Sequence, residues 1–213
     1  DNRIKLLQNE TNLGLAESLN RCIKIAKGEY IARMDADDIC EVDRLERQIK
    51  FLESNHNVAV VCGGINLIDE NNKIWGKRLL ITPLTKENIF KYNPIAHPTV
   101  MMRKNAVLDV GGYTVSPFTR RGQDFDLWCK LCEKGYNFEK IHDVLLNYRE
   151  YIGAYKKRGF KTRLDAFKLR RYWRRKLDLP LYYEIYAIKQ LIAGIIPKTV
   201  MFAYHKIKFK KTI

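Results

Sequence analysis

Short apolar runs alternate with apolar residues at three- and four-residue steps over the first 150 residues, which predicts an α/β sheet domain. Ile4-Lys5-Leu6-Leu7 reads as a short strand, followed by the turn-rich Asn9-Glu10-Thr11-Asn12. Leu15, Leu19, Ile23 and Ala26 share one face of a helix from Leu13 to about Lys27, with Gly28 as its stop. Tyr30-Ile31-Ala32-Arg33-Met34 is a strand that runs into Asp35-Ala36-Asp37-Asp38. A second helix follows, with Val42, Leu45, Ile49 and Leu52 on its apolar face. The nearly continuous apolar run Val58-Ala59-Val60-Val61-Cys62 is the kind of strand buried on both faces of a mixed or parallel sheet.

Asn66 to Lys77 forms a hairpin around Asp69-Glu70-Asn71-Asn72. A helical stretch lies near Thr85–Lys91, and Pro94 to Met102 is a loop entering a strand. Gly111-Gly112-Tyr113 is a turn, Gln123 to Glu133 a helix ended by Gly135, and Val144 to Tyr148 a late strand. Beyond Tyr151 the composition changes, which divides the chain into a body, 1–150, and a tail, 151–213.

Charge sharpens that division. The formal net charge is +15, and residues 151–213 hold 17 Lys+Arg against 3 Asp+Glu. The body carries 22 basic against 21 acidic residues. A hydrophobic fraction of 46% and a charged fraction of 30% exclude wholesale disorder. No apolar run reaches the ~20 residues that span a bilayer, and Leu191–Ile196 is broken by Pro197. Five scattered cysteines do not form a disulfide framework and fit a reducing compartment. Cys129 and Cys132 make a CxxC inside a helical pattern, without a second pair to complete a zinc set, so they read as helix thiols.

Three clusters carry candidate chemistry. Three carboxylates stand within Asp35–Asp38 where a strand exits, a position at which open α/β sheets bind ligands. Their mutual repulsion calls for a cation, and oxygen ligands on a tight turn suit Mg²⁺ or Mn²⁺. The competing reading is that Asp37 or Asp38 caps the next helix. Gln123-Asp124-Phe125-Asp126-Leu127-Trp128 places two carboxylates at a helix start, where each serves as a cap or as a general base beside an acceptor hydroxyl. His97-Pro98-Thr99 is a loop histidine, taken alone a structural one. None of the three is decisive singly.

In order and spacing they resemble the family 2 glycosyltransferases of the GT-A fold. The resemblance is carried by Asn12-Leu13-Gly14-Leu15, by Ala26 through Asp38, and by Asp43-Arg44-Leu45-Glu46-Arg47-Gln48. It continues through His97-Pro98-Thr99-Val100-Met101, Gly111-Gly112-Tyr113 and Gln123 to Trp128, and ends near Tyr148-Arg149. It implies a GT-A-like, Rossmann-like mixed sheet flanked by helices, followed by a basic helical tail. It also implies inverting transfer from a nucleoside-diphosphate sugar, UDP the expected nucleotide, to an acceptor hydroxyl in polysaccharide or glycolipid assembly.

By the same resemblance Asp35-Ala36-Asp37 is the DxD motif, with Asp37 holding Mn²⁺ or Mg²⁺, Asp35 and Arg33 on the donor side, and Asp38 on that side supporting the turn. Asp124 is the catalytic base, and His97, Gln123 and Asp126 lie on the acceptor side. Two departures stand out. Gln123 occupies the usual Glu position, and the family's first strand and nucleotide-binding loop would precede Asp1, an expectation of N-terminal incompleteness. The alternative reading is a catalytically inactive or truncated relative that binds acceptor or membrane.

In the tail, basic residues from Lys156 to Lys176 interleave with Phe160, Phe167, Tyr172 and Trp173, and a second helical stretch follows Pro180. Such a cationic amphipathic segment, residues 156–211, suits an anionic membrane surface, which would place the protein peripherally at the cytoplasmic face of a bacterial plasma membrane. The alternative is a helical appendage packed on the body. A nucleic-acid partner is excluded because it leaves the acidic cluster and the near-neutral body without a role.

Overall fold

The computed structural model describes residues 1–150 and 159–210. The expected boundary at Tyr151 and the basic residues Lys156, Lys157, Arg158 and Lys211 lie outside the described residues. Six strands form one mixed sheet in the order β1 (Tyr30–Ala32), β5 (Met101–Arg103), β3 (Val58–Ile68), β6 (Asn137–Arg149), β2 (Ile39–Cys40), with β4 (Ile74–Arg78) paired to the far half of β3. Among the described residues only β3 and β6 run parallel; every other pairing is antiparallel.

β3 is the spine. Ten of its eleven residues are buried, as its unbroken apolar sequence requires of a central strand covered on both faces. Gly63 and Gly64 let it lie close to β6, since a Cβ on Gly63 would stand 2.5 Å from Leu145. The predicted hairpin exists as β3 and β4, paired Asn66 to Lys77. Helices α1 (Gly14–Ile25), α4 (Lys104–Asp109) and α5 (Gln123–Glu133) contribute Ile23, Ala106, Val107, Leu127, Trp128 and Leu131 to the main apolar core. Cys129 is buried and Cys132 half-buried on α5, and both thiols are free.

Three local expectations are corrected. Ile4 to Leu7 is not a strand: no neighbouring backbone pairs with it, and Leu6 is 89% exposed. α1 ends at Ile25 with Ala26 as its cap, so Gly28 is not its stop. Most informative is α2 (Arg44–Ser54), whose buried face is Arg44, Gln48 and Leu52, while Val42 and Leu45 stay in solvent. Polar groups take the inner face there because they serve backbone carbonyls that the sheet leaves over.

The tail's first helix, α6 (Phe160–Lys176), docks on the body. Leu169, Trp173, Leu177 and Leu179 join Phe90 of α3 (Lys86–Tyr92) and Phe125 of α5 in a second apolar cluster. α7 (Glu184–Ile195) packs on α6, and α8 (Lys198–Lys210) returns to the sheet beside β4. For α6, therefore, packing on the body is realised. Among the described residues no helix is long and apolar enough to cross a membrane.

Candidate active-site cleft

β1 stops at Ala32, yet the Arg33 amide still reaches the Val100 carbonyl at 3.1 Å before the chain leaves the sheet as the acidic turn. The buried row of α2 fixes that exit from below. Arg44 Nη2 donates to the Arg33 carbonyl at 2.8 Å and Nε to Gln48 Oε1 at 3.0 Å, while Gln48 Nε2 donates to the Thr99 carbonyl at 2.9 Å. From the far side Arg149, at the end of β6, donates through Nε to the Asp37 carbonyl at 2.8 Å and through its amide to Asp38 Oδ1 at 2.9 Å. The turn is thus held by two arginines that bind its backbone and leave its outward carboxylates available.

The three carboxylates take different environments. Asp35 pairs with Arg33, whose guanidinium is buried and whose Nη1 has no partner among the described residues. Asp37 is exposed, and its carboxylate has no partner among the described residues. Asp38 turns inward beneath the turn. Burial pushes its pKa up to about 6 against the Arg149 amide bond, and repulsion from Asp35 and Asp37 adds to the rise.

Opposite the turn, Asp124 sits in the first turn of α5. Burial raises its pKa above the usual carboxylate range, opposed by backbone amides at the helix start and by Asn93 Nδ2, 3.4 Å from Oδ2. Asn93 closes α3 in a left-handed conformation with φ 42°, which lets its amide face the carboxylate. Phe125 is covered by the Arg170 guanidinium, 4.4 Å from the ring centroid. Arg170 also bonds the Phe90 carbonyl, and burial lowers its pKa to about 10.

A cleft of about 890 Å³ brings together Arg33, Asp35, Asp37, His97, Gln123 and Asp124. His97 lies in its wall but is nearly buried, bonded through Nε2 to the Tyr113 hydroxyl at 2.7 Å and edge-on to Trp128. Burial, reinforced by Arg33, lowers its pKa to about 3, so it is a neutral fixture at ordinary pH. The Gln123 amide, oriented to match its neighbours, donates to the carbonyls of Thr119 and Arg120. Asp126 is not among the residues that line the cleft; it is buried and accepts from Trp173 Nε1 at 2.8 Å.

Among the described residues no group of three or more His, Cys, Asp or Glu could hold a metal ion. Two carboxylates on one turn, with Asp37 unpartnered, still fit an ion such as Mg²⁺, which commonly takes one or two protein carboxylates and completes its shell with phosphate oxygens and water. Sequence reasoning missed the supporting residues Arg44, Gln48, Arg149 and Arg170. The first two lay inside the resembling motif without a role, and the last lay in the tail.

The family model for glycosyl transferase family 2 matches residues 1–111. A putative glycosyltransferase of Bacillus subtilis, EpsE, is 40% identical over 204 residues, 96% of this chain and 73% of that protein. An Escherichia coli protein described as UDP-Glc:alpha-D-GlcNAc-diphosphoundecaprenol beta-1,3-glucosyltransferase WfgD is 30% identical, over 92% of this chain and 74% of its own. Among solved structures, TarS 1–349 of S. aureus with UDP-GlcNAc superposes with a TM-score of 0.63 at 17% identity, over 90% of this chain and 55% of that one. The mannosyltransferase PcManGT of Pyrobaculum calidifontis, with GDP-Man and Mn²⁺, gives 0.53 at 16%, over 94% and 61%. The shared feature is the GT-A mixed sheet flanked by helices.

Proposed function

Because the chain belongs to glycosyltransferase family 2, we propose that it transfers a sugar from a nucleoside diphosphate, UDP being preferred, to a saccharide or lipid-linked saccharide hydroxyl with inversion. The observation that carries this reading is one cleft with an unpartnered Asp37 carboxylate on one wall and a half-buried Asp124 on the other. UDP-GlcNAc in TarS and the UDP-Glc donor in WfgD's description favour UDP.

In this reading Asp124 accepts the acceptor hydroxyl proton as that oxygen attacks the anomeric carbon. The bond to the nucleoside diphosphate breaks on the opposite face, so the configuration inverts. The raised pKa of Asp124 makes it a better proton acceptor than an exposed carboxylate, provided it is ionised. Asp35 and Arg33 orient the donor, and the unsatisfied Arg33 Nη1 has a natural partner in a phosphate oxygen. A divalent ion held by Asp37 would supply Lewis-acid charge at the leaving diphosphate, and the Mn²⁺ bound in PcManGT supports that assignment.

The setting is polysaccharide or glycolipid assembly at an anionic membrane surface. α7 leaves Ile185, Ile188, Ile192 and Ile195 exposed at three- and four-residue steps, with Leu181 and Tyr182 just before them. Lys189 flanks that stripe on a tail with 17 basic and 3 acidic residues, a charge that favours anionic headgroups.

The test is transfer and donor hydrolysis by the full-length protein across UDP- and GDP-sugars with Mn²⁺, with product anomers read by NMR. An inverted linkage is expected, lost in Asp124→Asn and Asp37→Ala. A retained linkage, or wild-type rates in both variants, overturns the role assignments.

A further inference from the structure

The base side of the cleft carries more positive charge than proton transfer requires. Arg120, Arg121, Arg163 and Arg170 all line it near Asp124. Two are engaged: Arg170 with the Phe90 carbonyl and the Phe125 ring, Arg163 with Gln190 at 3.2 Å. Arg120 and Arg121 are exposed and have no ion-pair partner among the described residues. Adjacent like charges repel, and an arrangement that holds them together is best stabilised by an anion between or beside them.

The loop that carries them is built to stay in place. Thr119 is buried and its hydroxyl donates to the Thr114 carbonyl at 2.6 Å. Gly122 presses the loop on α6, where a Cβ would come 2.9 Å from Leu169 Cδ2. The two guanidiniums therefore project from an anchored segment next to the base.

A second cavity of about 630 Å³ opens from the same two arginines, between the start of α1, residues 115–122 and the first turns of α6. Its apolar wall is Leu13, Leu15, Val115, Pro117 and Phe118. Lys161 lines it too, against the single carboxylate Asp165, and the Lys168 ammonium stands 5.4 Å from the Phe118 ring centroid. Along this path the chemistry runs in a fixed order: carboxylate base, paired arginines, apolar chamber.

We propose that this second cavity is the acceptor's aglycone subsite, taking a phosphate or diphosphate on Arg120 and Arg121 and the first part of an apolar chain over Val115 and Phe118. The sugar hydroxyl then meets Asp124. The assignment rests on the glycosyltransferase reading of the main cleft; the arginines and the second cavity extend it to the substrate beyond the reacting sugar. The tail that carries the exposed apolar stripe of α7 also supplies one wall of this cavity, through the first turns of α6.

The test is calorimetric binding of farnesyl diphosphate, farnesol and inorganic pyrophosphate to the full-length protein, each with and without saturating UDP and Mn²⁺. Farnesyl diphosphate is expected to bind alongside UDP, pyrophosphate less tightly, farnesol weakest. The double variant R120Q/R121Q should weaken farnesyl diphosphate about tenfold or more, because charge-assisted bonds are lost. The double variant V115S/F118S should weaken farnesyl diphosphate and leave pyrophosphate unchanged, which separates a lipid headgroup from free phosphate. Full competition by UDP, farnesol binding as well as farnesyl diphosphate, or wild-type affinity in R120Q/R121Q overturns the subsite. Wild-type protein that binds farnesyl diphosphate but no UDP overturns the donor reading and leaves the subsite standing.

Discussion

The indole of Trp173 donates to Asp126 Oδ1 at 2.8 Å inside the contact between α6 and α5, with both residues almost wholly buried. Asp126 follows the candidate base by two positions, so a residue of the basic tail braces the helix that presents Asp124. Among the described residues its other oxygen has no partner, and the indole is the one side chain that bonds the carboxylate. Trp173→Phe should therefore cost about 1–3 kcal/mol, the penalty for an unsatisfied buried polar group. Asp126→Asn keeps an acceptor and should cost less. Urea denaturation followed by circular dichroism measures both, and an unchanged midpoint for Trp173→Phe would refute the brace.

Asp124→Asn should separate chemistry from stability. Loss of the proposed general base should lower transfer by about 10²–10⁴-fold. The same substitution removes a charge that burial disfavours, so the thermal midpoint at neutral pH should hold or rise. Because the folded pKa is raised, its stabilising contribution is fully present below the ordinary carboxylate range and fades as pH climbs through the raised value. The advantage of Asn over Asp should accordingly grow from pH 4 to pH 7. Wild-type kcat/KM should fall in the opposite direction, as acid protonates Asp124.

Asp37→Ala should abolish the response of transfer to Mn²⁺ while the fold is retained, since the carboxylate is exposed and bonds nothing else among the described residues. Chelation of wild-type protein should reproduce the effect, and added Mn²⁺ should reverse it in wild type alone. Residual activity that still titrates with Mn²⁺ in the variant would move the ion elsewhere.

Arg44→Met tests how the acidic turn is held. It strips the Arg33 carbonyl of its donor and leaves Gln48 Oε1 unsatisfied in the interior. A loss of about 1.5–3 kcal/mol is expected for a charged buried donor, visible in the urea midpoint. KM for the donor should rise as well, because Arg33 and Asp35 follow from that anchor. A variant as stable as wild type would mean that the carbonyls find other partners.

Much of this arrangement could be read from residue order. The acidic turn at the end of β1, the two-face burial of β3, the hairpin to β4 and the placement of Asp124 at the head of α5 all follow from local pattern and turn chemistry. Periodicity failed on α2, where Leu45 and Ile49 marked a face but Arg44 and Gln48 took the interior. Apolar spacing carries no record of backbone carbonyls awaiting donors, and these decide that face. It failed likewise at Ile4–Leu7, because a strand is defined by a neighbour the local sequence does not contain. Arg149 and Arg170 were invisible for the same reason: each acts across more than seventy residues, on Asp37 and on Phe90. His97 and Asp126 matched the family's pattern, and each is bonded to a partner far along the chain, Tyr113 and Trp173.

The exposed stripe of α7 yields the last prediction. Ile188 and Ile192 are one turn apart, both exposed, on a helix held to α6 through Glu184, which accepts from Arg174 Nε at 2.8 Å. Replacing both with Glu puts charge where a bilayer interface would lie. Each buried apolar side chain of this size contributes about 1.5–3 kcal/mol on leaving water, and two glutamates add repulsion from anionic lipid. Flotation on vesicles of phosphatidylglycerol and phosphatidylethanolamine should drop at least tenfold for I188E/I192E, while its thermal midpoint stays with wild type. Vesicles of phosphatidylcholine alone should recover little of either protein, since the basic tail then has no anion to meet. Equal recovery of wild type and variant on anionic vesicles would leave the stripe without a role at the membrane, and the basic residues would have to act alone.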